Sequence, residues 1–184
     1  TIIIYQFEME SNFRRNLIIS SAISVFILIV SSTASFLSIN SLIKSNLLVN
    51  HTQNIIYNIN NSKRILLDAQ SGVRGFLVTG NDLFLDRYLQ SNLEIDQITE
   101  DLVQFTIDNS AQQVSLRTIK NEHKRFYNYL KEKVYLKRQG VLIDADDLNQ
   151  GKEIMDSLLS LYNKMEDKEL ELLKTRTDQS KDYG

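Results

Sequence analysis

The chain of 184 residues has no proline, no cysteine and no tryptophan, and its 21 basic and 23 acidic residues leave a net charge of −2. Without proline, which makes up about 5% of an ordinary chain, long uninterrupted helices are favoured over strands and turns. Without cysteine there is no disulfide, thiolate metal site or cysteine nucleophile, and the balanced charge offers no basic block to neutralise phosphates, so no nucleic-acid partner is expected.

No charged residue lies between Arg15 and Lys44. Leu17 to Ile39, apolar despite its serines, predicts a transmembrane helix: its length of about 35 Å at the helical rise exceeds a hydrocarbon core of roughly 30 Å. Arg14 and Arg15 stand directly before it, so the positive-inside rule places residues 1–16 in the cytoplasm and everything after Ile39 outside. The competing reading is a cleaved signal peptide cut near Ser32-Thr33-Ala34. Against it, the apolar run continues through Phe36, Leu37 and Ile39 into the helical pattern that follows. Met9 resembles a natural start, with Thr1 to Glu8 upstream of it.

Beyond the anchor, four stripes of apolar or small residues recur at alternating spacings of four and three, the seam of helices packed nearly parallel to their axes. The first runs through Leu48, Thr52, Ile55, Ile59, Ser62, Leu66, Ala69, Val73 and Phe76 and ends near Thr79, with Gly80 as a left-handed cap. Asn81 or Asp82 caps a second helix, striped by Phe84, Tyr88, Ser91, Ile95, Ile98, Leu102 and Phe105. Ser110 with Gln113 reads as a capping box for a third helix, carrying Leu116, Ile119, His123, Phe126, Leu130 and Val134 up to Gly140. Asp144 with Asp147 opens a fourth, with Leu148, Gly151, Met155, Leu158, Tyr162, Met165 and Leu172 on one face. Short connections make neighbours antiparallel. The expected fold is therefore all-α: a transmembrane helix (17–39), then an elongated up-down-up-down antiparallel four-helix bundle (44–178) and a juxtamembrane end (179–184).

Half of the six glycines fall in SGVRGFLVTGND, at Gly72, Gly75 and Gly80. Each interior helical glycine costs up to about 1 kcal/mol relative to alanine. Gly72, Gly75 and Gly151 should lie at nearly one height on the first and fourth helices, so close backbone approach of those two helices is the expected compensation. A phosphate loop does not fit, because no strand precedes GVRG and neither nucleotide-binding spacing is met.

The stretch DAQSGVRGFLVTGNDLFLDRY, Asp68 to Tyr88, resembles the signature of the type-3 CHASE domain. Asp68, Ala69, Gly72, Arg74, Gly75, Leu77, Thr79 and Gly80 fit that family's pattern directly, Phe76 stands at its aromatic, and Gln70 replaces its usual acid. DNSAQQVSLRTI (Asp108 to Ile119) and GKEIMDSL (Gly151 to Leu158) resemble the family more weakly. The resemblance implies a bacterial four-helix sensory module between two membrane helices, feeding a histidine kinase, diguanylate cyclase or chemoreceptor output. It also implies an inner-membrane location, with the bundle on the periplasmic or extracellular side.

Arg74, beside the first seam near the tip, is the candidate ligand residue. Its guanidinium fork suits a charge-assisted tie to the acidic third connection (Asp144, Asp146, Asp147), or a clamp on a ligand carboxylate. His123 sits on an apolar stripe and reads as a core histidine. His51 lies near the membrane end, so the two should not converge on a metal. Tyr57, Phe126, Tyr127, Tyr129 and Tyr135 read as core or dimer surface. No grouping for catalysis is present, and neither a cofactor nor an enzymatic activity of this chain is expected. The partners expected are the lipid bilayer, a second copy of the chain and an unknown small-molecule or protein stimulus. The stimulus would shift the fourth helix against the first by about 1 to 2 Å. A passive membrane-tethered spacer is the alternative.

Overall fold

A computed structural model describes residues 2–181, with side chains from Phe13 to Gln179. Parts of the expected cytoplasmic segment 1–16 and juxtamembrane end 179–184 therefore lie outside the described residues. The elements are α1 (Ile2–Thr79), a 3-10 turn (Asp82–Leu85), α2 (Asp86–Phe105), α3 (Ser110–Arg138) and α4 (Ala145–Lys181), with no strand among the described residues. The fold is all-α, as composition and periodicity indicate.

Two compact units are present, one formed by residues 1–47 with 177–184 and the other by residues 48–176. In the first, apolar side chains from Leu17 to Ile39 are exposed, and α1 is the one helix among the described residues long and apolar enough to cross a membrane. Its hydroxyls turn back on the helix: Ser20 Oγ donates to the Leu17 carbonyl at 3.1 Å, Ser24 Oγ to Ser20 at 2.9 Å and Thr33 Oγ1 to Ile29 at 2.8 Å. Spending the donor inside the helix would let a serine-rich stretch face hydrocarbon.

In the second unit, α1 through α4 contribute to one apolar core, with Ile59 and Leu66 from α1, Ile95 and Leu102 from α2, Leu116 and Phe126 from α3, and Leu158 and Tyr162 from α4. All six stripe positions of α3 are buried, whereas Leu48, Phe84 and Leu148, at stripe ends, stay exposed. Contacts between helices run in reversed order. Asn60 Nδ2 donates to Glu166 Oε1 at 2.5 Å, Lys63 pairs with Glu166 at 2.6 Å, and Gln70 Nε2 donates to the Gly151 carbonyl at 3.1 Å. Gln113 Nε2 donates to the Val103 carbonyl at 2.8 Å, and Lys120 pairs with Glu100. Gln112 Nε2 donates to Glu169 Oε1 at 2.5 Å and the Tyr129 hydroxyl to the Asp147 carbonyl at 2.9 Å. Each of these pairs joins helices whose residue numbers climb in opposite directions.

The turns follow their sequence signals with two corrections. Gly80 takes φ +70° and its N–H closes on the Phe76 carbonyl at 2.8 Å, and Gly140 takes φ +75° after α3. Asn81 Oδ1 accepts from the Leu83 N–H at 3.0 Å, but what it caps is the 3-10 turn, so α2 begins only at Asp86 and is shorter than its stripe suggests. Asn109, not Ser110, caps α3, accepting from the Gln112 N–H at 3.2 Å. Gln113 is drawn away from the expected box because its amide satisfies the Val103 carbonyl and Thr106 Oγ1 at the end of α2. Asp144 and Asp147 open α4 as expected, here as a reciprocal box: the Asp147 N–H donates to Asp144 Oδ1 at 2.9 Å and the Asp144 N–H to Asp147 Oδ2 at 3.4 Å.

Candidate functional site

The signature glycines serve contacts other than the expected approach of the first and fourth helices. A methyl on Gly72 would overlap the Phe84 carbonyl oxygen, one on Gly75 the Phe84 ring, and one on Gly151 the Tyr129 hydroxyl and ring. So α1 gives up two side chains to admit the 3-10 turn after Gly80, and α4 gives up one to admit a tyrosine of α3. The direct polar link between the first and fourth helices at this level is the bond from buried Gln70 to the Gly151 carbonyl. It explains the amide at a position where the family's pattern has an acid: an ionised carboxylate has no proton to donate to a carbonyl.

Asp68 forms an exposed ion pair with Arg64 at 3.1 Å, one helical turn away. Arg74 is exposed and lines a cleft of about 470 Å³ with Lys137, Val78, Leu142, Ile143 and Leu148. The side-chain tie to the acidic connection is made by Lys133, which pairs with Asp147 and with Glu132 at 3.2 Å. Lys133 is buried and reaches Asp147 from within the core, whereas Arg74 sits on the outer face. Arg138 lies 5.8 Å from the Phe76 ring centre and pairs with Asp82 at 3.0 Å, fastening the end of α3 to the first turn.

The histidines separate as expected. His51 meets Phe105 edge to face at 5.9 Å. His123 is buried in α3, its Nε2 lying 3.1 Å from the Tyr162 hydroxyl of α4. Burial lowers the His123 pKa to about 4 and raises that of Tyr162 to about 12, so both are neutral at physiological pH.

A second cleft, of about 520 Å³, opens between α2 and α3. Tyr88, Asn92 and Asp96 line it from α2, and Lys120, Lys124 and Lys131 from α3, with His123 and Tyr127 between the lysines in the chain. Sequence reasoning missed it. Its signal was the three lysines at spacings of four and seven on α3, one helical face bordering the buried stripe.

A helical body whose core draws on four helices and which carries two open clefts, with a membrane-capable segment in α1, is an all-α module. The CHASE3 domain family matches residues 45–179, most of the chain, and the chain belongs to that family, whose members are sensory extracellular domains of signalling proteins and not catalytic. No curated protein and no solved structure matches the chain.

Proposed function

We propose that the chain is the extracytoplasmic input domain of a bacterial membrane-bound signal-transduction protein of the histidine-kinase type. Residues 17–39 cross the inner membrane, 1–16 are cytoplasmic, 44–178 form an up-down-up-down bundle outside, and 179–184 are its juxtamembrane end. Two copies act together, each extending its helical seams across a twofold axis.

The observation that carries this reading is the ladder of polar contacts joining α1 and α4. Arg176 to Thr52 stands at one end, Asn60 and Lys63 to Glu166 in the middle, and Gln70 to Gly151 at the other end. Bonds of 2.5 to 3.1 Å are lost by a displacement of about 1 to 2 Å, so a shift of α4 along α1 of that size would break the ladder. A stimulus favouring one register by about 1 to 3 kcal/mol would bias an output carried by these helices.

The test is to place cysteines at Asn60 and Glu166 in the full-length protein, close them with a short bismaleimide in native membranes, and read the output across growth conditions. The crosslink should hold the output at one level while the uncrosslinked protein varies. An output indifferent to the crosslink would count against helix displacement.

A further inference from the structure

The cleft between α2 and α3 belongs to neither the glycine signature nor the α1–α4 ladder, and its lining is chemically selective. In a chain of net charge −2, it gathers Lys120, Lys124 and Lys131 against one carboxylate, Asp96. Lys120 is paired with Glu100, while Lys124 and Lys131 are exposed on the α3 rim. Seven residues separate those two, about 10 Å along the helix axis, so an anion seated between them interacts with both. Asp96, exposed on the opposite helix, can accept from a donor. Part of the remaining wall is aromatic, the rings of Tyr88 and Tyr127 stacking across the two helices at 6.4 Å and 30°, beside Leu89, Asn92 and Asn128.

From this arrangement we infer that the α2–α3 cleft is a binding site for a small aromatic carboxylate carrying a hydrogen-bond donor at its far end. The carboxylate lies toward Lys124 and Lys131, the ring packs on the Tyr88 and Tyr127 wall, and the donor faces Asp96. An inorganic anion would leave the aromatic wall and Asp96 unused. An aliphatic amine would meet two lysines of its own charge. A ligand here also lies against His123, whose Nε2 is hydrogen-bonded to Tyr162 of α4, so occupation reaches the helix that the ladder holds in register. That last step, from occupation to signal, rests on the sensory reading; the binding site does not.

The experiment is calorimetric titration of the full chain in nanodiscs, with empty nanodiscs as the blank. The probes are 4-hydroxybenzoate, benzoate (same anion, no donor) and tyramine (same phenol, opposite charge). Saturable binding of 4-hydroxybenzoate is expected near the millimolar range, about what ten non-hydrogen atoms support. Benzoate should bind several-fold more weakly and tyramine without saturation. K124Q/K131Q should weaken 4-hydroxybenzoate at least about tenfold, while K164Q, an exposed lysine of α4, should not change it. Both lysines are exposed, so the double variant should melt as the parent does. No saturation by 4-hydroxybenzoate to about ten times that range, equal binding by K124Q/K131Q, or preference for tyramine would each overturn the assignment. Because the titration reads occupancy alone and the crosslink between positions 60 and 166 reads displacement, failure of the site and failure of the signalling mechanism give different results.

Discussion

The Tyr162 hydroxyl of α4 lies 3.1 Å from His123 Nε2 of α3, and both side chains are buried in the apolar core. Their rings sit 5.9 Å apart at 33°. Each polar atom is satisfied by a partner on another helix, so the pair fixes the relative register of α3 and α4 as packing alone would not.

The first consequence is sensitivity to acid. An unfolded histidine titrates near 6.5, whereas burial holds His123 at about 4. The folded form disfavours the charged ring, so stability is complete above the unfolded value and declines as pH falls from about 6.5 toward 4, by about 3 kcal/mol in all. Thermal unfolding from pH 7 to pH 4 should show this decline. His123→Phe should flatten it while lowering stability at pH 7 by about 1 to 3 kcal/mol, because the Tyr162 hydroxyl loses this partner. An unchanged slope in the variant would remove His123 as the cause.

The glycine contacts make a prediction whose sign opposes helix propensity. Alanine would gain up to about 1 kcal/mol over glycine in a helix, but at Gly72 its methyl meets a backbone carbonyl and at Gly75 a ring. Gly72→Ala and Gly75→Ala should each destabilise by about 1 to 3 kcal/mol. Adding Phe84→Ala should relieve the second and not the first, since the Phe84 carbonyl remains. Chemical denaturation of the four variants separates the cases.

Lys133 is buried with its ammonium paired to Asp147. Asp147→Ala should destabilise the protein, because it leaves the Lys133 ammonium with only the exposed Glu132 and also breaks the box at the start of α4. Lys133→Met, which keeps the volume and removes the charge, should cost less. Denaturant midpoints of the two variants provide the check, and equal losses would count against both the unpaired cation and the cap as sources of the difference.

Glu169 is buried at the far end of α4, one oxygen accepting from Gln112 Nε2 at 2.5 Å. Burial raises its pKa, with Arg176 and Gln112 opposing. A carboxyl raised in the fold contributes most when protonated, so its contribution weakens as pH climbs from the ordinary carboxylate value. Glu169→Gln keeps an acceptor for Gln112 and should melt higher than the parent near pH 7, with the two curves converging near pH 4. Convergence at high pH instead would reverse the assignment.

What was legible in the chain follows from periodicity. The α3 stripe from Leu116 to Val134 was readable because a helix presents every third or fourth residue to one side whatever it packs against, and Gly80 and Gly140 because a left-handed turn selects glycine locally. Arg74 and Lys133 were not distinguishable on the same footing. Both are cations within reach of the third connection, and only the direction of each side chain in the assembled core decides which one pairs with Asp147. The cleft between α2 and α3 was hidden for a related reason, since three lysines on a helical face are an ordinary solvated edge until another helix brings Tyr88 and Asp96 opposite them.

By itself the amino-acid order determined the helices, the glycine turns that end α1 and α3, the membrane-capable stretch and the family, because each depends on neighbours within a few positions. The tertiary structure alone decided that Phe84 and Tyr129 occupy the space the glycines leave, that Gln70 donates to Gly151, and that His123 finds Tyr162. Those partners stand far apart along the chain, and which of several compatible side chains fills a gap is set by excluded volume and hydrogen-bond geometry in three dimensions.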